Sequence, residues 1–282
     1  MPANNAPSGT GSDRAGTLPC EARLPINRCN LPAVIIGSVT FQDHPARLEL
    51  DGVSELHAQL FSGLDARVEA EQRARLFYDH MAAHFCLDHL DEAGLVPSRG
   101  RRAKANWTRI LRGWSFDSDG RDAAVLKGWV ESRFGLLPRF HVEPLRDPAA
   151  PAYRRYQEMR ASGLYGTNAL EAQLDLVYAY CQYEFARQGS PTPHLTLYRG
   201  VNRIDEHEVL VDQGRQQVVL FNNLVSFTGA RERAGEFGDY ILETQVPTAK
   251  VFFHHRLLPG ILKGEDEYLV IGGAYRVSVH TF

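Results

Sequence analysis

A chain of 282 residues, 44% hydrophobic and 23% charged, is long enough to bury one sizeable core and reads as globular. Its 31 basic and 34 acidic residues leave a net charge of −3, which excludes a global electrostatic case for nucleic acid or a membrane surface. Four scattered cysteines (Cys20, Cys29, Cys86 and Cys181) with no CxxC pair exclude a disulfide scaffold and a cysteine zinc site.

Residues 1–20 are rich in Gly, Ser, Pro and Asn and read as a flexible tail, because they bury too little surface to offset ordering entropy. They lack the basic start and apolar stretch of a secretory signal. No apolar run of the length that spans a bilayer occurs, so the expectation is a cytoplasmic protein with no membrane span.

Residues 21–190 read as mainly helical. Phe77, Met81 and Phe85 step by four within a helix expected over 66–90, with Gly94 and Pro97 beyond its end. His80 and His84 on it have the spacing of a metal pair, but no glutamate completes a metalloprotease pattern, so no metal is expected. The stretch 98–113 carries six basic and no acidic residues and reads as a solvated loop, with docking of an acidic protein partner as its functional alternative. Shorter helices are expected at 121–133 and 151–162. The clearest helix is 167–187, where Leu170, Leu174, Val177, Cys181 and Phe185 fall on one face and Gly189 ends it.

Residues 191–282 read as short strands: 194–200, 216–227 and 239–246, then three more separated by Pro259-Gly260 and Gly272-Gly273. Too little chain lies between them for parallel crossovers, so two small antiparallel or mixed sheets are expected. The fold class is therefore α+β, a helical N-terminal part packed on a C-terminal β core.

Three motifs in the strand region carry chemistry. Tyr198-Arg199-Gly200 ends a strand with a planar cationic fork suited to phosphate, followed by a residue that lets backbone approach a ligand. Ser226-Phe227-Thr228 sets two hydroxyls around a ring, suited to a ribose and a flat heterocycle. Glu265-Asp266-Glu267 precedes an apolar strand, and in extended chain its two glutamates share one face, roughly 6–7 Å apart. Like charges so placed cost stability and invite a functional reason. Taken singly, each has an ordinary reading as a surface ion pair, a strand end or a guarded edge. Neither a Walker loop nor a strand-borne GxGxxG is present, so a Rossmann mode of nucleotide binding is not expected.

The order Arg199, Ser226, Glu265-x-Glu267 resembles the Arg-Ser-Glu signature of the ADP-ribosyltransferase superfamily, in the toxin and ectoenzyme branch, where Glu-x-Glu goes with arginine as acceptor. LTLYRGVN and NNLVSFTGARERAGEFGDY, with the helical region before them, are similar to the dinitrogenase reductase ADP-ribosyltransferases. The middle motif departs from the commoner Ser-Thr-Ser, so a second hydroxyl there is moved or lost. The resemblance implies NAD as substrate, held by Arg199 through its phosphates and by the Gly200 backbone at the nicotinamide amide. It implies Glu267 as the carboxylate facing the ribose, Ser226 as its orienting group and Glu265 as the group that receives the acceptor guanidinium. Thr228 belongs to the binding set, and Phe227 or Phe237 stacks on nicotinamide. Implied partners are dinitrogenase reductase, the nitrogenase Fe protein, as acceptor and a PII-type nitrogen-signalling protein as regulator. The rival readings are an inactive fold of this type that only binds NAD or a protein, and a helical adaptor without chemistry.

Overall fold

The computed structural model describes residues 16–88, 106–189, 193–204, 207–259 and 266–281. Of the segment read as a tail, 1–15 lies outside them. The rest is packed: Leu18 is buried against Gly37, and the Gly16 carbonyl accepts from Val39 N.

Four short helices come first, α1 (Ala33–Ile36), α2 (Val39–Asp43), α3 (Val53–Leu56) and α4 (Ala58–Asp65). The long helix expected over 66–90 is α5 (Ala70–His84). It stops early because Cys86 takes a left-handed φ of 49°, while Cys86 N bonds to Ala83 O and Leu87 N to Ala82 O. That is a Schellman closure without glycine, and it ends the helix at His84, short of the expected 90.

Next comes α6 (Trp107–Phe116), a helix in place of part of the expected basic loop. Its Trp107, Ile110, Leu111 and Trp114, spaced i, i+3, i+4, i+7, are all buried, each apolar side chain contributing about 1.5–3 kcal/mol. The Asn106 side chain accepts from Arg109 N and caps its start. Then come α7 (Arg121–Phe134), a two-residue ladder of β1 (Phe140–His141) and β2 (Glu143–Pro144), α8 (Pro151–Leu164) and α9 (Leu170–Gln188). In α9 Leu170, Leu174, Val177 and Cys181 are buried as the spacing required, and Gly189 ends it at φ 58°.

The remaining strands are β3 (His194–Val201), β4 (Glu208–Gln213), β5 (Gln216–Phe227), β6 (Tyr240–Pro247), β7 (Val251–His254) and β8 (Tyr268–Thr281), with a short α10 (Arg231–Gly235) between β5 and β6. All pair antiparallel in one sheet of order β3-β6-β8-β5-β4, with β7 also on β8. The two last expected strands are thus one. Gly272-Gly273 does not interrupt β8. A side chain on Gly272 would collide with the Asn222 carbonyl, and Gly273 sits at φ 113° against Gly37. The first half of β8 pairs with β7 and the end of β5, and the second half with β6 and the start of β5.

One hydrophobic core runs through helices and strands alike, from Leu18 to Val279. Buried polar bonds hold the layers in register. Tyr178 of α9 donates to Ala249 O, Asn223 of β5 to Lys127 O and Leu136 O, and Gln42 of α2 to Thr244 Oγ1 and Arg276 O. Arg73 of α5 forms a buried two-bond pair with Glu184 of α9 at 2.7 and 2.8 Å. Among the described residues no helix is long and apolar enough to cross a membrane.

Candidate active site

The end of β5 turns back onto β3. Tyr198 N bonds to Thr228 O at 2.9 Å and Thr228 N to Tyr198 O at 2.8 Å, so two main-chain bonds join strands that are not neighbours in the sheet order. Arg199 follows Tyr198, and its Nη1 donates to the Ser226 carbonyl at 2.9 Å. The Ser226 hydroxyl donates to Glu267 Oε1 at 2.7 Å. Arg199, Ser226 and Glu267, 27 and 41 residues apart in the chain, therefore form one connected group on three strand ends.

Helix α6 completes this group from the other side. Trp114 Nε1 donates to Ser226 Oγ at 2.8 Å, and Ser115 Oγ donates to Glu267 Oε2 at 2.8 Å. Both carboxylate oxygens of Glu267 thus accept a hydroxyl proton. Between the two glutamates Asp266 faces elsewhere: its Oδ2 accepts from Thr228 Oγ1 at 2.8 Å and Gly229 N at 3.0 Å, and its Oδ1 lies 3.3 Å from His255 Nδ1. Glu265 lies outside the described residues.

Gly200 is a point of close approach. A Cβ there would run into the Ala234 carbonyl, so its absence is what lets α10 lie over the end of β3. Of the two candidate stacking rings, Phe227 is 3% exposed and packs edge-on to Phe221 in the core, whereas Phe237 is 59% exposed. The Arg233 guanidinium stands 5.5 Å from the Phe237 ring centre.

A cavity of about 490 Å³ opens beside the group, lined among others by Trp114, Lys127, Arg139, Arg146, Arg199 and Ser226. Its basic side chains outnumber Asp119 and Glu208, which suits a phosphate-bearing ligand. Lys127, buried on α7, donates to Asp119 at 3.0 Å and to Phe140 O at 3.0 Å, and burial lowers its pKa from the usual lysine value. His207 on the same wall is pushed down to about 3 by burial and by the charge of Arg199, so it stands there as neutral imidazole. A larger groove of about 970 Å³ between α4 and α9 contains none of Arg199, Ser226 and Glu267.

Sequence reasoning missed Trp114, Ser115 and Lys127, and passed over Asp266 as the residue between two glutamates. The signal for α6 was present in the apolar spacing from Trp107 to Trp114, but the basic residues among them drew the reading to a loop. His80 and His84 come together with His57, unforeseen, their ligand atoms within 4.8 Å of one another. His57 Nδ1 and His80 Nε2 are 3.1 Å apart, an ordinary ring-to-ring hydrogen bond.

Comparison with known proteins gives the family. The family model described as Dinitrogenase reductase ADP-ribosyltransferase (DRAT) matches residues 26–279. The chain is 43% identical over 259 residues to the NAD(+)--dinitrogen-reductase ADP-D-ribosyltransferase of Rhodospirillum rubrum, over 89% of this chain and 93% of that protein. No solved structure matches. Both matches are to ADP-ribosyltransferases, and the name of the Rhodospirillum rubrum protein includes NAD(+). The chain belongs to the dinitrogenase reductase ADP-ribosyltransferase family.

Proposed function

We propose that this chain transfers ADP-ribose from NAD to an arginine of dinitrogenase reductase, releasing nicotinamide and switching off nitrogenase. The connected group Arg199–Ser226–Glu267, whose Arg199 and Ser226 line a basic cavity, carries the reading. The name of the Rhodospirillum rubrum relative supports the choice of acceptor. A PII-type nitrogen-signalling protein is the regulator implied by the family resemblance, and the cytoplasm is the compartment.

Each group has a role that its chemistry allows. Arg199 holds the NAD phosphates beside the cavity, and the Gly200 backbone meets the nicotinamide amide. Phe237, the exposed ring, stacks on nicotinamide. Cleavage of the bond between ribose C1′ and the nicotinamide nitrogen leaves positive charge on the sugar, as in glycoside hydrolysis, and nicotinamide departs neutral. Glu267 accepts a ribose hydroxyl and stabilises that cation, an effect of about 2.7–4 kcal/mol or roughly 10²–10³ in rate. A guanidinium is a poor nucleophile because its proton is so tightly held. Glu265 orients the acceptor arginine and takes that proton as its nitrogen bonds to C1′.

The test is incubation of the purified protein with labelled NAD and dinitrogenase reductase, beside Glu267→Gln. Label on the reductase from the unaltered protein alone is the expected result. No label, together with no free nicotinamide, would leave the inactive fold as the better reading.

A further inference from the structure

We infer that Trp114 and Ser115, on the last turn of α6, are positioning residues for the Ser226–Glu267 pair. This rests on the reading of Glu267 as the carboxylate that faces the ribose.

The inference follows from counting protons. A serine hydroxyl has one proton and two lone pairs, and an indole N–H can only donate. At 2.8 Å, Trp114 Nε1 occupies one lone pair of Ser226 Oγ, which leaves the single Ser226 proton to point at Glu267 Oε1, 2.7 Å away. Ser115 has two acceptors in reach, Leu111 O at 3.5 Å and Glu267 Oε2 at 2.8 Å. The nearer carboxylate oxygen takes the proton, because a hydrogen bond to an ionised acceptor is the shorter and stronger one. The two oxygens of Glu267 are thus held by hydroxyls from different elements, β5 and α6, which fixes the plane of the carboxylate. Each oxygen keeps lone-pair capacity for a substrate hydroxyl.

Ser115 also accounts for the second hydroxyl missing from the β5 motif. The only other hydroxyl in Ser226-Phe227-Thr228 belongs to Thr228, and it is committed to Asp266. A helix from the other half of the chain supplies the hydroxyl instead. Its placement is firm. Trp114 is 4% exposed in the core, and a side chain at Gly113 would strike Asp122, so α6 lies close against the first turn of α7.

The experiment measures NAD hydrolysis, with kcat and KM for NAD taken separately, in Trp114→Phe, Ser115→Ala, Ser115→Thr and Glu267→Gln, alongside the melting temperature of each. Trp114→Phe keeps an aromatic ring and loses the N–H together with part of the indole's volume, and the melting temperature reads the cost of that lost volume. The expected result is a fall in kcat of about tenfold or more in Trp114→Phe and Ser115→Ala, with KM within about twofold of the unaltered protein. Ser115→Thr, which restores a hydroxyl, recovers most of the rate. Ser115 is exposed, so its two variants report on chemistry even if Trp114→Phe is unstable. Unaltered kcat in Ser115→Ala and in a folded Trp114→Phe, with Glu267→Gln inactive, would overturn this inference and leave the reading of the site intact. Activity surviving in Glu267→Gln would remove the role of that carboxylate, and this inference with it.

Discussion

Asp266 clamps Thr228: one carboxylate oxygen takes both the threonine hydroxyl at 2.8 Å and the Gly229 N–H at 3.0 Å. The acidic triplet is therefore not three equivalent charges. Its middle member ties the start of β8 to the end of β5, and so holds Glu267 opposite Ser226. Asp266→Ala removes that tie and leaves two donors without their partner. It is expected to cost about 1–3 kcal/mol in urea unfolding and to lower nicotinamide release as well. Full stability with full activity would show the clamp to be idle.

The proposed function assigns the two glutamates different tasks. Glu267→Gln is expected to abolish both NAD hydrolysis and transfer. Glu265→Gln is expected to spare hydrolysis far more than transfer, since attack of water on C1′ involves no guanidinium to orient or deprotonate. Measuring free nicotinamide and labelled protein in the same tube separates them. Equal loss of both activities in both variants would end the division.

Two phenylalanines give opposite signatures. Phe237→Ala, at an exposed ring, is expected to raise KM for NAD with the melting temperature unchanged. Phe227→Ala, in the core against Phe221, is expected to cost about 3–5 kcal/mol of stability. A rise in KM without loss of stability in Phe227→Ala would move the stacking role inward.

Stability is expected to fall as pH drops from neutral. Burial pulls His57, His141 and His254 down to about 4 and His207 to about 3, against 6.5 for a free histidine. The unfolded chain therefore binds protons that the folded one refuses, and the stabilisation, complete above pH 6.5, is lost as pH falls through 6.5 towards these values. At pH 5 unfolding should take up several protons, which calorimetry in buffers of differing ionisation enthalpy measures. A melting temperature flat from pH 7 to pH 5 would contradict these shifts.

Much of the architecture was legible because it lay in periodicity. The stripe of α9, the extent of β5 and the order of the three motifs could be read from residues such as Leu174, Val177 and Ser226. What was hidden depended on contacts distant in sequence. No local signal tells that Trp114 meets Ser226 or that Lys127 is buried beside Asp119 and His141. Phe227 and Phe237 look alike as letters, and only the packing of Phe221 separates them. The end of α5 at a left-handed Cys86 was unreadable for a related reason, since the residue type most at home there is glycine.

The pair of amide bonds between Tyr198 and Thr228 acts as a ruler cut from peptide units. It sets the span between the cation of β3 and the serine of β5 by backbone alone, whatever side chains surround it. Surfaces around the mouth can then diverge without disturbing the spacing of Arg199 and Ser226. A designer seeking a new protein target would change the rim and leave those two peptides untouched.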